Sequence, residues 1–310
     1  MVSSRRRRAL RSAFTLCFAA LLSLFCFGPR VTPSTATVPF RVTFIDVGQG
    51  DSAWLNTPDG WDILIDGGGQ NQGSALVSYL QSQGVSDIET LVLTHPHADH
   101  VGGLVEVVEN LEVDQALTNC QPYSTDIYQA FLDLLVSEGI PIVCVRDGDA
   151  FAWGAYVSAV ALHPPDPLMS GTGSDLNNNS VVLRITYGTI DFLFTGDVES
   201  EAEAAILGRA PALDAEILKV AHHGSESSST MAFLTAVSPV GAIISVGASN
   251  PYGHPSAQAI ERLQDVHATL YRTDLHGTIV VQTDGTTYDI EPQRQPVTYL
   301  PLGLYLWPVR

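Results

Sequence analysis

The chain of 310 residues is 45% apolar and 15% charged, enough hydrophobic material for one large folded domain and too little charge for a disordered one. Six arginines (Arg5, Arg6, Arg7, Arg8, Arg11 and Arg30) precede the first carboxylate, Asp46, so the body sets nine cations against 33 anions, a charge of −24. That excludes the diffuse basic surface from which nonspecific duplex-DNA binders draw affinity, and any anionic substrate needs a local cation to receive it.

Five arginines within residues 1–12 lead into the uncharged apolar run Ala13–Gly28. A basic segment before a short apolar one is the pattern of a secretory signal, and these 16 residues fall short of the roughly 20 that span a bilayer comfortably. Residues 1–30 are therefore expected to be a signal peptide or, if uncleaved, a signal anchor, and the Thr-, Ser- and Pro-rich residues 31–39 a linker. The protein is then exported, extracellular or at the cell surface, and meets the membrane only through that first segment.

From Phe40 the chain alternates strand-like and helix-like segments. Arg41–Val47, Ser52–Asn56 and Trp61–Ile65 read as strands of hairpins, and Ser74–Gln83 as a helix. Ile88–Leu93 follows as a strand, then a helix over Gly102–Asn110 with Leu104, Val107 and Val108 on one face. Val113–Thr118, Thr125–Glu138 and Ile140–Val145 form a strand–helix–strand crossover. Cys120 and Cys144, the cysteines beyond the N-terminal segment, lie at neighbouring predicted strands; they read equally as a disulfide or as two free, half-buried thiols. A second block alternates in the same way, with strands Val157–Leu162, Val181–Tyr187 and Ile190–Phe194, helix Glu199–Leu207, strands Ala215–Val220 and Gly241–Val246, helix Ser256–Gln264, and strands Thr269–Arg272 and Thr278–Gln282. Two mixed blocks with helices outside predict two sheets face to face, an α/β four-layer αββα sandwich forming a single domain over residues 40–285. Residues 286–310 carry no readable motif and are expected to be a tail.

The strongest chemical signal is the stretch from His95 to His100 with His97 and Asp99 between them, placed directly after an apolar strand and before Gly102 and Gly103. Three imidazoles and a carboxylate in six residues supply nitrogen and oxygen ligands for Zn²⁺-like ions. They cannot all reach one ion without severe backbone strain, so His95 and His97 are assigned to one metal, Asp99 and His100 to a second. Asp197 ends another apolar strand in a Gly turn, where a carboxylate can bridge two cations. His222 and His223 end a third; one of them completes the second metal's shell, His223 being narrowly favoured. Asp46, Asp51 and Asp66, in Gly-rich turns, are candidates to orient ligating imidazoles, Asp66 first, or are ordinary turn aspartates. His254 reads as a contact to substrate or leaving group, or as a structural turn histidine. Lys219, the chain's only lysine, is a candidate positive charge for substrate; His163, His267 and His276 have no assigned role.

Through the stretches "FIDVGQGDSAWL", "ILIDGGG", "LVLTHPHADHVGGL", "NNNSVVLRITYG", "FLFTGDVES", "ILKVAHHGSESSS", "SVGASNPYGHP" and "YRTDLHGTIVVQTDG", the chain resembles the metallo-β-lactamase superfamily. More narrowly it is similar to the extracellular hydrolase domain of the ComEC competence family and its stand-alone secreted relatives. The resemblance implies the αββα fold, a two-metal site between the sheets and hydrolysis of phosphodiesters, DNA or phosphorylcholine esters. Many members carry a third histidine for the first metal where this chain reads Asp175-Leu176-Asn177-Asn178-Asn179-Ser180, so that ion is completed by water, by Asn or by a distant His. The multiple membrane spans of a competence channel are missing from this sequence, so DNA import by the chain alone is not expected.

The sequence thus predicts a binuclear hydrolase, with two divalent ions (Zn²⁺, or Mn²⁺ as the alternative), in which a metal-bridging hydroxide attacks phosphorus, with Asp99, Asp197 and His254 as catalytic residues. The ions would bring about +4 into an otherwise acidic cleft. That favours single-stranded nucleic acid or a small cell-surface phosphodiester as substrate; no protein partner is identified. Hydrolysis of another ester, thioester or lactam is the competing enzymatic reading, and an exported non-catalytic binding module the third.

Overall fold

In strand after strand, alternate apolar residues divide between two cores. Phe40, Val42 and Phe44 of β1 (Phe40–Phe44) all enter the core between the sheets, as period-two geometry requires. The computed structural model describes residues 38–294 apart from Ala210. The signal segment over 1–30, residues 31–37 of the linker and residues 295–310 of the tail lie outside the described residues.

After β1 come β2 (Ala53–Asn56), β3 (Asp62–Ile65), α1 (Gly73–Ser82), β4 (Asp87–Ile88), β5 (Thr90–Leu93), α2 (Ala98–Val101), α3 (Leu104–Asn110), β6 (Glu112–Val113), β7 (Ala116–Thr118), α4 (Asp126–Glu138) and β8 (Ile142–Cys144). The second half runs β9 (Ala150–Trp153), β10 (Val157–His163), β11 (Val182–Tyr187), β12 (Ile190–Phe194), α5 (Ser200–Arg209), β13 (Ile217–Lys219), α6 (Met231–Val237), β14 (Gly241–Ile244), α7 (Ala257–Asp265), β15 (Thr269–Arg272), α8 (Thr273–His276), β16 (Ile279–Thr283) and β17 (Tyr288–Pro292). One sheet has the order β17-β16-β1-β2-β3-β5-β7-β8, the other β15-β14-β13-β12-β11-β10-β9.

The sheets pack face to face through Phe40 against Phe192 (ring centroids 5.6 Å apart) and Phe44 against Phe194 (5.5 Å). Leu64, Leu91 and Leu93 point the other way and pack with Leu76, Leu80, Leu104 and Phe131 of α1, α3 and α4. Leu193, Leu218 and Ile244 do the same on the far side with Ile206, Phe233 and Leu263 of α5, α6 and α7. The result is the four-layer αββα sandwich that the alternation predicts.

Several expectations are corrected. The strand expected over Ile88–Leu93 is interrupted at Glu89, whose carboxylate accepts the Asp62 backbone N–H at 2.7 Å; β4 leaves the large sheet and pairs with β6. The helix expected over Gly102–Asn110 starts at Leu104 as α3, and a separate short helix, α2, precedes it over Ala98–Val101. Strand β9 and helix α6 are additions to the predicted elements. The domain also runs past residue 285: β17 pairs antiparallel with β16 from Tyr288↔Thr283 to Pro292↔Ile279. Tyr288 and Ile290 pack on the core while Asp289 is exposed, an edge strand ending in charge and proline, which blunts further pairing.

Cys120 and Cys144 form a disulfide. It joins the ends of the parallel neighbours β7 and β8, where Thr118 and Cys144 share a register position. Closing a loop of 24 residues' separation, it contributes roughly 3 kcal/mol by restricting the unfolded chain. The Cys120→Ser/Cys144→Ser pair variant is expected to lose about that much in urea denaturation; an unchanged midpoint would show that the bond does not stabilise the domain.

Candidate metal centre

The parallel strands deliver their chemistry to one rim, as open α/β sheets do. Asp66 follows β3, His95 follows β5, Asp197 follows β12, His222 and His223 follow β13, and Ser245 follows β14. The loop after β5 docks backbone to backbone on the loop after β3: Gly67 N–H donates to His100 O (2.8 Å) and Gly103 N–H to Gly68 O (3.0 Å). A Cβ on Gly103 would collide with the carbonyl oxygen of Gly67, so only glycine permits that approach. His222 and His223 both take left-handed backbone (φ 48° and 54°), a strained pairing for residues with side chains, of the kind that clusters at functional sites.

The focus is Asp197, a buried carboxylate. Its Oδ2 lies 3.3 Å from His100 Nε2, 3.5 Å from His223 Nε2, 3.8 Å from His95 Nε2 and 3.9 Å from His222 Nε2. His223 Nε2 is also 3.3 Å from Asp99 Oδ2, and His95 Nε2 is 3.0 Å from His97 Nδ1. His95, His100 and Asp197 converge as one ligand group, and Asp99, His100 and His223 as another. His100 therefore belongs to both groups, where the spacing alone divides it from His95.

The outward nitrogens are held by acceptors. His100 Nδ1–H donates to Asp66 Oδ2 (2.8 Å), and Asp66 is fixed in turn by the N–H and hydroxyl of Thr94 (2.8 and 2.7 Å). His223 Nδ1–H donates to the Ser245 carbonyl (3.0 Å) and lies 3.2 Å from Asp51 Oδ1. Both imidazoles thus aim Nε2 into the rim, the arrangement that orients metal-ligating histidines.

His100 Nε2, His223 Nε2 and Asp197 Oδ1 are buried with no hydrogen-bond partner. Buried polar atoms are ordinarily satisfied, so this trio of orphans fits a group that these donors coordinate. A set of imidazole nitrogens and carboxylate oxygens suits Zn²⁺ and similar divalent ions. Burial disfavours the His223 imidazolium, but Asp197 and Asp51 outweigh it and push the group up to about 10. His100 is raised well above its ordinary value against burial, by Asp197 and Asp66. His95 goes the other way, because burial and the charge of His100 hold it neutral. Asp197 is lowered far below the carboxylate range by His100 and His223, in spite of burial.

Two sequence expectations are corrected. Asp46 stays outside the cluster, with its Oδ2 3.3 Å from Arg294 Nη2 and its own N–H bonded to Thr278 Oγ1. Lys219 is 3% exposed, pairs with Asp51 Oδ2 at 2.6 Å and donates to the Val220 carbonyl, so its ammonium is an internal counter-charge rather than a cation offered to substrate. His254 is half-buried with its ring 5.5 Å from that of His222.

Glu199 is an addition: its Oε1 lies 3.3 Å from His222 Nδ1 and accepts from Asn177 Nδ2 at 3.0 Å. Its place at the start of a helix after the Thr195-Gly196-Asp197 turn is the signal that points to it. The asparagine run is used as scaffold. Asn178 Oδ1 accepts the Glu199 and Ala202 N–H groups, Asn179 Oδ1 that of Met169, and Ser180 Oγ that of Asp197. Of the choices for completing the first ligand set, a distant His is available, since His222 Nε2 also comes within 3.9 Å of Asp197 Oδ2.

Residues 45–117 match the metallo-beta-lactamase superfamily. The "ComE operon protein 3" of Bacillus subtilis is 31% identical over 256 residues, covering 77% of this chain and 32% of that protein. The chain spans about a third of the length of the curated relatives it matches. Among solved structures, the metallo hydrolase Igni18 from Ignicoccus hospitalis (TM-score 0.52, 15% identity, covering 77% of this chain and 98% of that one) shares the fold. So does the metallo-beta-lactamase fold protein YhfI from Bacillus subtilis (TM-score 0.52, 13% identity, covering 79% and 100%).

Because the raised pKa values of His100 and His223 leave both protonated near neutral pH without metal, ligation must expel those protons. Metal affinity is therefore expected to weaken as pH falls. Calorimetry in buffers of different ionisation enthalpy is expected to show about one to two protons released per chain, and a release of zero would contradict this charge assignment.

Proposed function

As the chain belongs to the metallo-β-lactamase superfamily, we propose that it is an exported metal-dependent phosphodiesterase acting on single-stranded nucleic acid or a small phosphodiester. The observation that carries this is the convergence of four imidazole Nε2 atoms within 3.9 Å of one Asp197 oxygen, from two separate loops. His95, His97 and His222 would hold one divalent ion, Asp99, His100 and His223 a second, and Asp197 would lie between them. Bound there, such ions supply charge neutralisation at a phosphoryl oxygen and a water acidified towards neutrality.

The chain's own groups do the positioning. Asp66 fixes the His100 tautomer, and Asp51 with the Ser245 carbonyl fixes that of His223. Lys219 balances Asp51, so this carboxylate does not stand uncompensated beneath the site. His254, neutral through burial and the neighbouring His222 and His223, presents an unpartnered Nδ1 beside the cluster. There its ring can hydrogen-bond the departing oxygen through its one N–H. A metal centre also answers the charge problem of a −24 body, which otherwise repels a phosphodiester.

Export is supported by the arginine-led apolar segment and by the Cys120–Cys144 bond, which belongs in an oxidising compartment. No helix among the described residues is long and apolar enough to cross a membrane.

The test is metal analysis together with turnover of bis-p-nitrophenyl phosphate. The purified protein is expected to hydrolyse it and to leave nitrocefin and acyl thioesters intact. Asp197→Ala is expected to lose both stoichiometric metal and activity, and Asp66→Ala to lose roughly 10- to 100-fold in metal affinity or rate. Full activity in Asp197→Ala would end this mechanism.

A further inference from the structure

Beside the metal centre lies a groove of about 720 Å³, in the range of small-molecule sites. Its walls include Gln121, Tyr123, Gln129, Leu132, Ile142 and Cys120 of the disulfide, and not one lining residue is charged. The body around this uncharged cleft carries −24. It is joined to the metal centre through Tyr123, whose ring meets that of His97 edge-on with centroids 6.1 Å apart.

The wall is held in place. The disulfide anchors the loop at Cys120, Gln121 N–H donates to Asn119 Oδ1 (3.0 Å), and Gln129 Nε2 donates to the Tyr123 carbonyl (2.8 Å). Gln121 Oε1, in contrast, is buried in the wall without a hydrogen-bond partner. The groove thus combines an aromatic face and apolar walls with a buried amide oxygen that still lacks a donor.

We propose that this groove is a subsite for an unpaired nucleobase of the substrate, stacked on Tyr123 with its N–H edge toward Gln121; the proposal rests on the phosphodiesterase reading. The chemistry divides as the charges do, with the anionic phosphate at the metal centre and the neutral ring in the uncharged groove. Stacking on an aromatic side chain tolerates any base and needs it out of the duplex, which selects single strands. A quaternary ammonium headgroup fits less well. It seeks several aromatic faces, whereas Tyr128 is 2% exposed and leaves Tyr123 as the available ring. Such a headgroup also has no donor for Gln121.

Two esters with a common leaving group test the subsite: thymidine 5′-(p-nitrophenyl phosphate) and methyl p-nitrophenyl phosphate. In Tyr123→Ala the ratio of their kcat/KM values is expected to fall roughly 5- to 100-fold, through KM, and Tyr123→Phe is expected to restore it. Binding of a neutral methylphosphonate-linked oligothymidylate to the metal-loaded protein is expected to weaken by the same factor. If both esters turn over but neither the ratio nor oligothymidylate binding responds to Tyr123, the subsite is overturned and the phosphodiesterase reading stands. If neither ester turns over yet oligothymidylate binding depends on Tyr123, the phosphodiesterase reading fails and the base subsite stands. Tyr123 dependence confined to p-nitrophenylphosphorylcholine assigns the groove to a cationic headgroup and overturns the proposal. Where Tyr123→Ala does not fold, Leu132→Glu puts a carboxylate on the groove wall and is expected to lower the same ratio; an unchanged ratio overturns the subsite.

Discussion

Asp197 carries a carboxylate that the fold removes almost wholly from water, and much of the surrounding architecture answers that one charge. Burying an ion costs several kcal/mol unless opposite charge and hydrogen bonds replace the lost water. Here the replacement comes from imidazoles on the loops after β5 and β13, each set where it is by a hydrogen bond on its far nitrogen. Those bonds need further buried carboxylates, Asp66 and Asp51, and Asp51 needs Lys219. The chain of compensation explains why the single lysine of so acidic a protein is buried. It also explains why the centre suits divalent ions: protons on His100 and His223 and cations between them answer the same negative charge, so one can replace the other.

How much of this is legible in the sequence depends on whether the relevant contacts are local. His95, His97, Asp99 and His100 can be read because four ligand-type residues crowd one strand end, and Asp197, His222 and His223 because each follows a short apolar run into a glycine turn. Asp51 and Asp46 cannot be told apart that way. Both sit in the same Gly-rich stretch, and only the long-range approach of β13 decides that Asp51 meets His223 while Asp46 meets Arg294. Lys219 misleads for a similar reason, since a lone lysine in an acidic chain suggests a surface role until the facing carboxylate is known.

The sandwich itself is readable from the alternation of Phe40, Val42 and Phe44, or of Phe192 and Phe194 around Leu193. Its edges are less so. The β17 sequence, Tyr288 to Pro292, alternates apolar and acidic residues but ends in proline, and its partner β16 is what makes it a strand. The break at Glu89 likewise depends on a backbone N–H from Asp62, far away along the chain. The disulfide is open in the sequence because pairing turns on the parallel register of β7 and β8, which spacing does not encode.

Charge ties the centre to its surroundings. A surface at −24 repels polyanions at long range, so a duplex track along this body is disfavoured, and the chemistry suited to cations gathers at the candidate metal centre. The neutral groove continues from that point through Tyr123 and His97 without placing another carboxylate in the path. Disulfide, asparagine scaffold and groove wall share one loop region: Asn119 donates to the Asn179 carbonyl, and its own carbonyl accepts from Arg146. The same bonds that brace the base of the asparagine run therefore also fix the rim on which Tyr123 stands, so rigidity at the metal centre and shape in the groove have a common structural cause.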